Sequence, residues 1–107
     1  MESHPRTGQV AVIFIAQRTA RDEAGYTSAA REMAALAARQ PGYAGMDSVR
    51  SAGGLGITIS YWRDDAAALA WRDQPEHARI RDLGRARWYE WYELQVTRVE
   101  RGYSWRA

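Results

Sequence analysis

Between Gln9 and Arg18 the chain reads QVAVIFIAQR, apolar at both parities. Val10, Val12, Phe14 and Ala16 would point one way, and Ala11, Ile13 and Ile15 the other. A short run of this kind, rich in β-branched residues, predicts a strand buried on both faces. After a turn at 19–22 the period lengthens. Tyr26, Ala29, Ala30, Met33, Ala34, Leu36 and Ala37 form one apolar stripe, with Arg31, Glu32 and Arg39 facing water. This predicts a helix from Asp22 to Gln40, stopped by Pro41-Gly42. Tyr43 to Arg50 reads as a weaker strand, and Ser51-Ala52-Gly53-Gly54 as a turn. Leu55 to Trp62 alternates strictly, with Leu55, Ile57, Ile59 and Tyr61 on one side and Gly56, Thr58, Ser60 and Trp62 on the other.

Asp64 is a good N-cap for a helix running to Trp71. Pro75 cannot continue that helix but can open another at its first position. The segment therefore predicts a broken pair, Asp64 to Trp71 and Pro75 to about Tyr89. Tyr92 to Arg101 completes the pattern as a last strand with Leu94 and Val96 inward. Residues 1–8 are expected to be a disordered tail and 9–107 a single domain. The order β-α-β-β-α-β predicts an α+β, ferredoxin-like fold, a four-stranded antiparallel sheet with both helices on one face. On this reading the reverse face carries the other side of the first strand, with Trp62 and Val99 among Thr58, Ser60, Gln95 and Thr97. So large an apolar patch is unusual on a monomer, and predicts a homodimer that packs sheet against sheet.

Composition narrows the function classes. The 107 residues contain no cysteine, which excludes disulfides, thiolate nucleophiles and cysteine metal sites and fits a cytoplasmic protein. A net charge of +2, with acids nearly matching arginines, is not a nucleic-acid signature. No apolar run approaches the roughly 18 residues of a membrane helix, and the polar N-terminus does not read as a signal peptide. There is no Gly-rich phosphate loop, no G-x-S-x-G and no His/carboxylate cluster at metal spacing, so hydrolase, kinase and metalloenzyme readings are poor. Five Trp and six Tyr stand beside one Phe, most of them beyond residue 60. Rings with one polar edge suit pockets and interfaces.

Two histidines are present, and His4 falls in the tail. His77 shares a helical stripe with Ile80, Gly84 and Trp88, which turns it toward the sheet. An imidazole there could act as a base near neutral pH, or simply bond a backbone carbonyl. Trp62 and Trp71 could line a flat apolar cavity for an aromatic ligand, or be core rings. Arg81, Arg85 and Tyr89 lie on the next stripe. An arginine there could clamp a ligand anion, or belong to a solvated face.

The segment Ser60-Tyr61-Trp62-Arg63-Asp64-Asp65-Ala66, followed by Trp71 and Pro75-Glu76-His77, resembles the antibiotic biosynthesis monooxygenase (ABM) domain family, whose members are dimeric α+β barrels. The likeness spans about Gln9 to Arg101. In the family's anthrone oxygenases a strand-ending tryptophan begins W-x-S-x-x-A. Trp62 matches it, with Asp64 in the serine place and Ala66 or Ala67 as the small residue. An asparagine four residues earlier is here Thr58. In the haem-degrading branch a second tryptophan follows nine residues later, matched by Trp71. The iron-ligating histidine ten residues beyond is Arg81 here, and the first-strand asparagine is Gln17. The resemblance therefore implies oxygenation of a small anthrone- or quinol-like aromatic without a cofactor, and makes haem binding the poorer match. The alternative is a dimer of the same fold that binds a metabolite without catalysis. His77, Trp62 and Arg81 are the expected catalytic residues, and Trp71, Trp88, Phe14, Tyr61 and Thr58 the expected substrate contacts.

Overall fold

A computed structural model describes residues 4–107. Its elements are β1 (Val10–Arg18), α1 (Glu23–Ala38), β2 (Tyr43–Arg50), β3 (Leu55–Trp62), α2 (Asp65–Asp73), α3 (Pro75–Leu83), a π-helical turn (Gly84–Trp88) and β4 (Tyr89–Arg98). The four strands make one sheet of order β2-β3-β1-β4, antiparallel throughout. This is the expected ferredoxin-like α+β fold. Among the described residues no helix is long and apolar enough to cross a membrane.

Local chemistry explains the helix starts. Asp22 takes a left-handed conformation (φ 51°) so that its carboxylate accepts from the Gly25 N–H. A Cβ at Gly25 would lie 2.1 Å from that carboxylate, so only glycine permits the cap. The Asp64 carboxylate caps α2 by accepting from Ala67 N at 2.8 Å. That bond, then the Arg63 guanidinium, holds its carboxyl below the usual range. The Gln74 side chain caps α3 ahead of Pro75.

The last helix ends earlier than its pattern suggests. It widens to a π turn over Gly84–Trp88, closed by the Tyr89 N–H on the Gly84 carbonyl, and β4 starts at Tyr89 rather than Tyr92. The Tyr89 ring lies so close that a Cβ at Gly84 would sit 2.8 Å from it. The close approach is therefore tied to glycine at this position.

Pairing register decides which face each strand residue takes. Trp62 stands opposite Val10, Ser60 opposite Val12 and Thr58 opposite Phe14. Val10 and Trp62 are buried with Leu36, Ala37, Ala67, Ala68 and Trp71 from the helices. Trp62, Ser60 and Thr58 thus face the helices, and Leu55, Ile57, Ile59 and Tyr61 form the reverse face. This inverts the expected assignment of β3, because alternation separates two sides without saying which one the helices cover. A second cluster, Ala29, Ile80 and Trp88, packs α3 against α1.

The reverse face carries Ile13 and Ile15 beside Ile57 and Ile59, with Val49, Leu55 and Trp91 exposed around them. Leu94 and Val96 do point to the helix side, as expected. On edge strand β4, however, they remain 54% and 59% exposed.

The expectation of disorder over 1–8 falls partly outside the described residues. Residues 4–8 form turns anchored to the strand ends. The Gly8 N–H donates to the Val99 carbonyl at 2.8 Å, Arg6 donates to the Ala44 carbonyl, and the His4 ring meets the Ser104 hydroxyl at 3.2 Å. These bonds satisfy backbone groups that a free tail would leave to water.

Candidate functional site

Three rings form a ladder on the helix side of the sheet. Trp62, fully buried, donates its indole N–H to the Ser60 hydroxyl at 3.0 Å and meets Tyr43 edge-on, centroids 5.7 Å apart. Trp71 stacks on Trp62 at 5.6 Å and 24°. His77 stacks in turn on Trp71 at 4.0 Å and 17°. The break at Gln74-Pro75 makes this possible, since it folds α3 back so that its first turn meets the end of α2.

His77 Nδ1 lies 2.7 Å from the Trp71 carbonyl oxygen. A carbonyl can only accept, so Nδ1 carries the proton and Nε2 keeps its lone pair. Burial lowers the His77 pKa, the Trp71 carbonyl bond opposes that shift, and the Arg81 charge adds to it. The neutral, Nε2-basic imidazole is the favoured form. Arg81 donates from Nη1 to the Arg72 carbonyl at 3.4 Å, and its buried Nε has no partner.

The structure thus brings His77, Trp71, Trp62 and Arg81 into one neighbourhood. Trp62 and Trp71 stack directly on each other. Thr58 and Phe14 are register partners on the same face, and the Thr58 and Ser48 hydroxyls are 2.8 Å apart. Phe14 packs against Tyr89 and Tyr92 at 5.4 and 5.2 Å. Two expected contacts lie elsewhere. Trp88 belongs to the second cluster, where its indole donates to the Asp22 carboxylate. Tyr61 is on the reverse face with the Arg6 guanidinium 3.6 Å over its ring.

A second constellation had no signal in the sequence. The guanidinium carbons of Arg18 and Arg50 lie 3.6 and 4.3 Å from the centroid of the Tyr26 ring, and Tyr89 meets Tyr26 edge-on. Burial raises the Tyr89 pKa above the usual phenol range. An arginine ending an apolar strand reads as a solvated flank, and only the register between β1, β2 and β3 reveals the convergence. An open cleft of about 280 Å³ runs along Arg85, Tyr89 and Tyr92. A larger one, about 530 Å³, lies among the N-terminal turns, Tyr43 and Arg63, next to the Trp62 end of the ring ladder.

The family model for antibiotic biosynthesis monooxygenase matches residues 10–83, and the chain belongs to that family. It is 43% identical over 97 residues to the uncharacterized protein YqjZ of Bacillus subtilis, covering 91% of this chain and 84% of that one. SnoaB, a cofactor-independent oxygenase from Streptomyces nogalater, superposes with a TM-score of 0.70 at 22% identity, over 86% of this chain and 95% of SnoaB. A conserved protein from Methanosarcina mazei superposes with a TM-score of 0.78 at 9% identity, over 87% of this chain and 94% of that one. At these identities the two structures are similar in fold alone.

Proposed function

We propose that this chain is a cofactor-independent monooxygenase that oxidises a small anthrone- or quinol-like aromatic with O2, and that it works as a homodimer. The observation that carries the reading is the Nδ1 bond from His77 to the Trp71 carbonyl. It fixes the tautomer and aims a basic Nε2 from a ring held flat on the tryptophan ladder. Trp62 and Trp71 act as positioning residues, because they set the plane of the imidazole. Thr58 and Phe14 offer a polar and an apolar contact to the substrate on the same face.

In this mechanism His77 Nε2 takes the acidic ring proton and Arg81 stabilises the resulting anion. The carbanion passes an electron to O2, and the radical pair recombines as a peroxide at that carbon. Loss of water leaves a carbonyl, so one oxygen atom stays on the ring and the other departs as water, with His77 returning the proton. The family membership and the cofactor-independent activity of SnoaB support this chemistry.

The test is O2 uptake by the purified protein with a panel of anthrones, naphthols and quinols. His77→Gln is expected to lower the rate by about 10²–10⁴-fold, the usual worth of a general base. A panel that binds without consuming O2 would refute the reading in favour of a non-catalytic binding dimer. A Soret band on haem titration would instead establish haem binding.

A further inference from the structure

The outer edge of the sheet at β4 is bare. Among the described residues β4 pairs only with β1, so its outward N–H and C=O groups have no strand beside them. Every residue from Glu93 to Arg98 is exposed, Leu94 and Val96 on the helix side among them. Leu94 also ends the row Ser48, Thr58, Phe14, Leu94 across that face. The side of the sheet that carries Thr58 and Phe14 is therefore open at this edge. A long apolar edge of this kind invites another strand.

The chain carries a segment that fits it. After β4, residues 99–107 form no helix or strand. This arm holds the most exposed large apolar side chains of the described residues, Tyr103 at 83% and Trp105 at 80%. Two residues apart, they fall on one face of an extended chain, as Leu94 and Val96 do on β4. Setting Tyr103 opposite Val96 and Trp105 opposite Leu94 gives an antiparallel register. The same register brings Ser104 to Gln95 and Arg106 to Glu93 on the other face. It thus yields two aromatic–aliphatic pairs and one pair of opposite charges, the kinds that stabilise a sheet. The parallel alternative sets Arg106 against Thr97 and Gly102 against Glu93.

The arm does not lie on its own β4. The Ser104 hydroxyl meets the His4 ring at 3.2 Å, and Gly102 passes so close that a Cβ there would lie 3.2 Å from that ring. His4 belongs to the turns that lead into β1, on the inner side of β4. The clasp turns the arm away from the bare edge of its own sheet and leaves both rings in water. The arm free to reach that edge is a second copy's. The two rings expose roughly 300 Å². Two arms and the surface they cover come to roughly 1,200 Å², the lower end of a stable interface.

We infer that the arm of one copy adds as a strand to the outer edge of β4 in a second copy, seating its Trp105 on Leu94 and its Tyr103 on Val96, and that the exchange is mutual. Trp105 then extends the row of Thr58, Phe14 and Leu94 and closes that side of the proposed substrate site, which the neighbouring copy thereby completes. The inference rests on the proposed homodimer and not on its oxygen chemistry.

Because the chain has no cysteine, an introduced pair reports directly on this register. Glu93→Cys with Arg106→Cys, oxidised in dilute solution, is expected to run mostly as a covalent dimer on a non-reducing gel. Glu93→Cys with Arg101→Cys, five residues out of register and beyond the reach of a disulfide, should stay largely uncrosslinked. Trp105→Ala should raise the dimer dissociation constant at least tenfold in sedimentation equilibrium, with an unchanged circular dichroism spectrum because the ring is exposed within its own chain. A dimer that gives no 93–106 link, links both pairs equally or closes the disulfide within one chain would overturn the arm and leave the sheet-to-sheet dimer standing. An unaltered dissociation constant in Trp105→Ala would do the same. A full chain that sediments as a monomer would overturn both. A linked dimer that consumes no O2 with any aromatic keeps the arm and loses the oxygenase reading.

Discussion

The tryptophan ladder makes a quantitative prediction about Trp62. In Trp62→Phe the ring loses its N–H and part of its volume at a fully buried position between Tyr43 and Trp71. The bond to Ser60 contributes about 1 kcal/mol net. Its loss also leaves a buried hydroxyl short of a partner, and incomplete collapse around the smaller ring adds about 1 kcal/mol more. The expected destabilisation is about 2–3 kcal/mol, or on the order of 10–20 °C in melting temperature for a domain of this size. Urea unfolding followed by circular dichroism measures it, with protein concentration held constant because association shifts the midpoint. A double-mutant cycle with Ser60→Ala isolates the hydrogen bond, with an expected coupling of about 1 kcal/mol. A loss below about 0.5 kcal/mol, or no coupling, would show that the indole is not seated as described.

Three further outcomes follow from the geometry. The His77 pKa is lowered in the folded state, so as pH falls below about 6.5 the unfolded chain takes up the proton first. Its contribution to stability is complete above that pH and is lost as pH drops toward the folded value. With the Trp71 carbonyl and Arg81 facing the ring, His77→Gln should flatten this part of the urea-midpoint profile between pH 7.5 and 5. Gly84→Ala drives a methyl into the Tyr89 ring and should cost about 1–3 kcal/mol in the same unfolding assay. Ile59→Asp on the reverse face should leave the circular dichroism spectrum intact but convert a sedimenting dimer to monomer. If the unaltered protein already sediments as a monomer, the proposed dimer is excluded.

The sequence was most legible where punctuation is chemical. Pro41-Gly42, the Gly53-Gly54 turn, Asp64 and Pro75 mark boundaries that the structure keeps, and β2 and β3 run over the expected residues. The stripe of His77, Ile80, Gly84 and Trp88 pointed His77 toward the sheet, whereas the partners it meets are the Trp71 ring and carbonyl, supplied by another helix. The faces of β3 were not legible, because strict alternation is symmetric until pairing with β1 decides it. Nor was the junction at Trp88 to Tyr92, where aromatic residues at every parity fit a helix end or a strand start equally well. The Arg18–Arg50 convergence depends on cross-strand neighbours remote in sequence, which no local pattern contains.

The turns at residues 4–8 are clasped to the end of the sheet at Val99 and Ser104, so the first and last described segments lie side by side. A short linker could therefore join them, and the exposed loop at Ser51 to Gly53 offers a place to open the chain anew. A circularly permuted version would keep every strand pairing while moving both free ends to the β2–β3 hairpin. Fusion partners or reporter groups could then be attached there, away from the neighbourhood of Arg6 and His4.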